Sequence, residues 1–137
     1  MRLLEQQLIQ LRGFRNVVES GKIIGFQIPI RLTYYRGVWA SMLRPATVKL
    51  NGETYTDKQI YWTIDGKKLE QEDLKNDLNT HWNSLDVAIL TIRKEGGIEP
   101  GLYQVEVVYD FSSSYLPPAI DTGMFNTKGE RKMVLVQ

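Results

Sequence analysis

Leu85-Asp86-Val87-Ala88-Ile89-Leu90-Thr91-Ile92-Arg93, then Lys94-Glu95-Gly96-Gly97-Ile98-Glu99-Pro100-Gly101, then Leu102-Tyr103-Gln104-Val105-Glu106-Val107-Val108-Tyr109-Asp110-Phe111, decides the architecture of this 137-residue chain. In the first run Val87, Ile89 and Thr91 alternate with Ala88, Leu90 and Ile92, the period of two that places successive side chains on opposite faces of a strand. Both runs are rich in β-branched residues, which fit a pleated surface. Between them lie Gly96-Gly97 and Pro100-Gly101, whose glycines supply backbone freedom, so the pattern predicts two strands joined by a hairpin loop.

The same period extends outward. Across residues 23–34, Phe26, Ile28, Ile30, Leu32 and Tyr34 share one face, while Gln27, Arg31 and Thr33 share the other. Pro29 lies on the second face and cannot donate to a ladder, which predicts a sheet edge or a bulge there. Thr47–Leu50 and Glu53–Tyr55 flank Asn51-Gly52, the pair that most readily gives both positive φ angles of a type I′ hairpin. Gln59–Ile64, with Ile60, Trp62 and Ile64 in phase, ends at a second turn signal, Asp65-Gly66. A closing strand is expected at Lys132–Val136. Leu69–Leu78 alone suggests a helix, with Asp73 and Asp77 as solvated residues beside Leu74 and Leu78. For residues 3–11 a helical stripe (Leu4, Leu8, Leu11) and an extended arm both fit.

About seven short strands separated by turns predict an all-β chain: a single antiparallel β-sandwich over residues 1–137, jelly-roll-like, with extended N- and C-terminal segments. A chain of this length can bury roughly two-thirds of its unfolded surface, enough for one core. Lys plus Arg number 17 and Asp plus Glu 16, so no broad field favours nucleic acid or anionic lipid. The absence of cysteine excludes disulfides and thiolate metal sites. Met1-Arg2-Leu3-Leu4-Glu5 lacks the pattern of a signal peptide, and no run approaches the ~20 apolar residues of a membrane span, so a cytoplasmic, membrane-free protein is expected.

No catalytic set is legible. The single histidine, His81, has no companions for a metal site or a triad and is read as a loop or interface residue. Asp57, Asp65, Asp73, Asp86 and Asp110 fall mostly at turns or strand ends, where carboxylates accept backbone hydrogen bonds. The aromatic residues carry more information. Tyr35, Arg36 and Trp39 lie out of phase with the core face of residues 23–34 or in the loop beyond, whereas Tyr34 is in phase with it. Exposed aromatics with an adjacent Arg are enriched at interface hot spots. Residues 112–130 show no period but hold Tyr115-Leu116-Pro117-Pro118 and several apolar side chains, the composition of a segment laid extended on a partner. The expected partner-facing residues are therefore Tyr35, Arg36, Trp39, Tyr115, Leu116, Pro117 and Pro118.

Phe14-Arg15-Asn16, Gly25-Phe26-Gln27, Tyr34-Tyr35-Arg36-Gly37, Asp65-Gly66-Lys67, the Gly96–Gly101 turn and Tyr115–Pro118 together resemble the small β subunit of the bacterial C-glycoside deglycosidases. The matching residues are Arg15, Asn16, Gly25, Tyr35, Arg36, Gly37, Gly97, Pro100, Gly101 and Pro117. The resemblance implies a β-sandwich packed against a larger TIM-barrel α subunit that carries the acid-base residues and a divalent metal, manganese by expectation. It implies no catalytic, cofactor-binding or metal-binding residue in this chain. The implied substrate is a 3-oxo-C-glycoside of flavonoid or isoflavone type. Its C3 ketone acidifies the C2 hydrogen, and β-elimination then breaks the bond between C1 and the aryl carbon. A free-standing carbohydrate-binding module is the alternative from another class, and a carboxylate-based glycosidase a third.

Overall fold

The computed structural model describes residues 7–32, 37–111 and 127–136. Its strands are β1 (Arg15–Glu19), β2 (Lys22–Arg31), β3 (Val38–Trp39), β4 (Thr47–Leu50), β5 (Glu53–Tyr55), β6 (Ile60–Ile64), β7 (Lys67–Glu70), β8 (His81–Trp82), β9 (Val87–Arg93), β10 (Gly101–Tyr109) and β11 (Thr127–Leu135). They form a five-stranded sheet ordered β1-β2-β9-β6-β7, a four-stranded sheet ordered β11-β10-β4-β5 and a two-stranded ribbon, β3-β8. Every described pairing is antiparallel.

The two larger sheets pack face to face through their in-phase residues. Phe26, Ile28 and Ile30 of β2, Ala88, Leu90 and Ile92 of β9, and Ile60, Trp62 and Ile64 of β6 meet Val48, Tyr55, Val105, Val107 and Tyr109 from the other sheet in one buried cluster. Edge-to-face pairs cross the interface: Phe26 on Tyr55 at 5.7 Å and Trp62 on Tyr109 at 5.7 Å between ring centroids. Each large apolar side chain buried here contributes roughly 1.5–3 kcal/mol of transfer free energy. The predicted antiparallel β-sandwich is the observed fold.

The loop between the two strongest strands is not a hairpin. β9 is already paired on both sides, with β2 and β6, so the chain leaves that sheet and β10 opens the other one. Gly96-Gly97 is thus an inter-sheet crossing, whereas Asn51-Gly52 (φ 49° and 88°) and Asp65-Gly66 (φ 52° and 78°) are tight hairpin turns as their residues predict.

The helix expected over Leu69–Leu78 is also corrected. The Asp65-Gly66 turn returns the chain antiparallel to β6, placing Leu69 opposite Trp62 in β7, and only a 3-10 turn over Gln71–Asn76 follows. Leu69 and Leu74 are buried and Leu78 is exposed, so no continuous helical stripe exists.

Pro29 lies in an interior strand rather than at the sheet edge or a bulge, yet its position respects the missing donor. Its carbonyl accepts from the Gln10 N–H at 3.0 Å, so its nitrogen faces the side where β1 has already ended. Residues 7–10 form an extended arm on that side, bridging Ile9 to Ile30, with Leu8 and Ile9 buried. This arm closes one flank of the sandwich. Leu8 packs on Gly129, and Arg131 Nη1 donates to the Ile9 carbonyl at 2.8 Å.

β11 begins earlier than the Lys132 start expected from sequence. Its first half, Thr127-Lys128-Gly129-Glu130-Arg131, lacks apolar alternation because its inward residues Gly129 and Arg131 meet the arm instead of the core. Thr127–Glu130, which the sequence reading assigned to the extended segment, pairs with β10.

Candidate partner-facing surface

The ribbon β3-β8 lies outside both larger sheets and splits its residues by face. Val38 and Trp82 turn inward and are fully or nearly fully buried, while Trp39 is 45% exposed and stands opposite His81. The rings of Trp39 and His81 meet edge to face, 4.8 Å between centroids. Beneath them, Gly37 leaves room for the imidazole. A Cβ at Gly37 would sit 2.3 Å from His81 Cε1 and 2.8 Å from its Nε2, so only glycine lets this strand approach. Met42 Sδ accepts from the Trp39 backbone N–H at 3.4 Å, and the Ala40 N–H donates to the Thr80 carbonyl at 2.8 Å, tying the ribbon to the turn that follows.

The result is an aromatic platform on a supported backbone. An indole and an imidazole in this arrangement can pack against a partner's apolar side chains or stack on a planar ring. His81, which the sequence places in a loop or an interface, is a strand residue. Its pairing with Trp39 was not legible from Thr80-His81-Trp82 alone, because the strand is only two residues long. Of the other expected contact residues, Tyr35 and Arg36 adjoin this ribbon in sequence but lie outside the described residues, as do Tyr34, Tyr115, Leu116, Pro117 and Pro118.

The carboxylates have structural surroundings. Asp57 and Asp65 occupy positive-φ turn positions. Asp77, expected to be solvated, is buried. Burial alone would raise its pKa, but hydrogen bonds from the Asn79 N–H, the Thr80 hydroxyl and N–H, and the Lys67 ammonium at 3.0 Å hold it well below the usual carboxylate range. Glu70 is likewise lowered, first by the side-chain hydrogen bonds of Arg93, one of them 2.8 Å long. Arg93 and Lys68 also sit over the Tyr61 ring, at 4.9 and 4.4 Å from its centroid. Tyr55 is pushed up to about 12, by burial and then by Glu53, and stays protonated. Among the described residues, no three His, Cys, Asp or Glu side chains come together as a metal site, and no helix is long and apolar enough to cross a membrane.

Several residues that carried the sequence resemblance hold the strands and the inter-sheet crossing in place. Asn16 clamps the crossing loop: its Nδ2 donates to the Ile98 carbonyl at 2.8 Å and its Oδ1 accepts from the Ile98 N–H at 2.9 Å. Gly97 has φ of 64°, and a Cβ there would stand 2.3 Å from Asn16 Oδ1. At Gly25, next to the extra residue Ile24 in the β1–β2 pairing, a Cβ would fall 1.9 Å from the Ile92 carbonyl oxygen of β9 in the same sheet. These positions specify an architecture.

The model of the C-glycoside deglycosidase beta subunit family matches residues 4–115. The chain belongs to this family. A C-glycoside deglycosidase beta subunit from Eubacterium cellulosolvens is 38% identical over 122 residues, covering 88% of this chain and 83% of the relative. Another, from Microbacterium trichothecenolyticum, is 24% identical over 90 residues, covering 66% of this chain and 61% of the relative. Within the family match lie both the Asn16–Ile98 clamp, which ties β1 to the inter-sheet crossing, and Trp39 of the ribbon, whose ring meets His81.

Proposed function

We propose that this chain is the non-catalytic small subunit of a C-glycoside deglycosidase, acting in the cytoplasm beside a larger TIM-barrel α subunit. Membership of the beta subunit family across residues 4–115 is the observation that carries the reading. The exposed Trp39–His81 pair supports it, because a half-buried indole on a rigid strand is the kind of anchor that concentrates binding energy at a subunit joint. In this reading Tyr35, Arg36 and the Tyr115–Pro118 segment complete that joint.

The substrate is a 3-oxo-C-glycoside with a flavonoid or isoflavone aglycone. Its C2 proton is acidified by the neighbouring ketone, and elimination expels the aryl carbon from C1. A divalent metal, assigned to the α subunit, would supply Lewis-acid polarisation of that ketone. The small subunit's own part is to hold its partner's active-site mouth in shape.

The test is to co-express this chain with a xylose-isomerase-type barrel α subunit and compare the pair with each chain alone on a 3-oxo-C-glucoside. Copurification with activity only in the pair is the expected result. A barrel equally active alone and never bound by this chain would overturn it. The Trp39–His81 platform also suits stacking on a sugar ring, which favours a free-standing carbohydrate-binding module as the second reading. Saturable sugar binding by the isolated chain would distinguish that case.

A further inference from the structure

Among the described residues, four strands end the two larger sheets, and three of them are blunted. β5 has three residues, β7 has four, and β1 has five, with its register on β2 broken between Val17 and Val18 by the extra residue Ile24 of β2. β11 is different: nine residues in unbroken register with β10, from Thr127 opposite Tyr109 to Leu135 opposite Gly101. Long unbulged edges are ready templates for another strand.

The direction of the free groups follows from β10. The Asn51 N–H donates to the Gln104 carbonyl, and the Gln104 N–H to Asn51 Oδ1, so the backbone of Gln104 faces β4. By alternation, Tyr103, Val105 and Val107 face β11, where their partners are Met133, Arg131 and Gly129. The N–H and carbonyl groups of Lys128, Glu130, Lys132 and Val134 therefore point away from β10, and among the described residues nothing pairs with them. The arm at residues 8–10 does not fill the place. Its backbone bonds go to Pro29 and Arg31 of β2, and it packs on Gly129 and bonds to Arg131 from the inner face of β11.

We propose that β11 pairs antiparallel with β11 of a second copy of this chain, about a two-fold axis at Arg131. Glu130 then stands opposite Lys132 of the second copy, and Lys128 opposite its Val134, with each opposed pair exchanging backbone hydrogen bonds. The two neighbouring registers that keep outward groups facing one another set Lys132 or Glu130 against its own copy, so charge selects this register. Glu130 is already ion-paired along its own strand to Lys128 at 3.1 Å, and its carboxylate can accept a second cation. Arg131 meets its own copy at the axis, but each guanidinium is turned onto the Ile9 carbonyl of its own chain. The exposed Val134, beside Leu102 on β10, is covered by the aliphatic stem of the opposed Lys128.

Sedimentation equilibrium on the full-length chain, purified alone, tests this. The wild type should show twice the 15.8 kDa chain mass. Lys132→Pro removes an N–H that the internal ladder does not use, so it should give a chain with unchanged far-UV circular dichroism and the monomer mass. Glu130→Lys should weaken association at least about tenfold, and Glu130→Lys with Lys132→Glu should restore it, since opposite charges face each other again. A wild type that stays monomeric, or a dimer that persists in Lys132→Pro, overturns the proposal. Should Lys132→Pro fail to fold, the charge swap decides alone: a double variant no tighter than Glu130→Lys also overturns it.

Discussion

Neighbouring residues His81 and Trp82, on one two-residue strand, face opposite worlds. Trp82 enters the core, with its ring 5.9 Å from both Trp62 and Tyr109 and its indole N–H bonded to the Asp86 carbonyl at 3.0 Å. His81 turns outward onto Trp39. The inner aromatics are locked: Trp62 Nε1 donates to Gln71 Oε1 at 2.8 Å, and the same buried amide also spans both the N–H and the carbonyl of Ala46. The outer pair is supported from beneath and left open above. Buried and exposed aromatic contacts are thereby separated along one strand, a separation that substitutions can test.

The largest loss of stability is expected on the inner side. Trp62→Ala removes a fully buried ring from between the sheets and strands the Gln71 amide, which should cost about 4 kcal/mol in urea unfolding. Retention of near-wild-type stability would mean that the aromatic cluster is not where the sheets are joined. Asn16→Ala comes next. It leaves the Ile98 N–H and carbonyl without their partner at the crossing loop, and a loss of roughly 2 kcal/mol is expected. Hydrogen exchange at Ile98 should accelerate in this variant before exchange in the core of β9.

This distribution explains what the sequence made legible. Residues whose neighbours are the core show their face by period: Phe26, Ile28 and Ile30, or Ile60, Trp62 and Ile64, were readable because burial acts on every second side chain. The hairpin turns were readable because positive φ selects Asn-Gly and Asp-Gly. Other features escaped because their cause is tertiary pairing, which periodicity does not record. Gly96-Gly97 looked like a hairpin, since nothing local reveals that β9 has both neighbours filled by β2 and β6. Leu69–Leu78 looked helical until the return strand opposite Trp62 claimed Leu69. Asp77 looked solvated because its partner Lys67 and the Asn79-Thr80 backbone are brought together only by the 3-10 turn. At the candidate surface, Trp39 was legible as out of phase with the core, but its imidazole neighbour across the ribbon was not.

A smaller and pH-dependent effect is expected at Asp77. Its folded-state pKa lies below the unfolded value of about 3.9, so its contribution to stability is fully present above that value and drains as pH falls toward the folded one. Thermal unfolding followed from about pH 5 down to pH 2 should show the wild type losing more stability than Asp77→Asn, whose amide has no carboxylate to protonate. At pH 7 the substitution should cost about 1 kcal/mol, since an amide oxygen can still cap Asn79 and Thr80 while the ion pair to Lys67 is lost. Parallel acid profiles for the two proteins would remove Asp77 from the account.

Trp39→Ala should be the mildest of all for the isolated chain. Its ring is nearly half exposed, it carries no buried hydrogen bond, and the strand pairing through Val38 and Trp82 is untouched, so the stability change should stay within about 1 kcal/mol. The opposite ranking is expected once the chain meets its partner. If the ribbon is the joint, loss of this anchor should weaken association by about 2 kcal/mol or more, roughly thirtyfold, and deglycosidase activity of the pair should be recovered by raising the concentration of the variant. Trp39→Phe should retain part of the affinity, because a smaller ring can still pack on His81. A variant that binds as tightly as the wild type yet unfolds readily would place Trp39 with Trp82 as a core residue, and the division between the two faces of β8 would have no functional meaning.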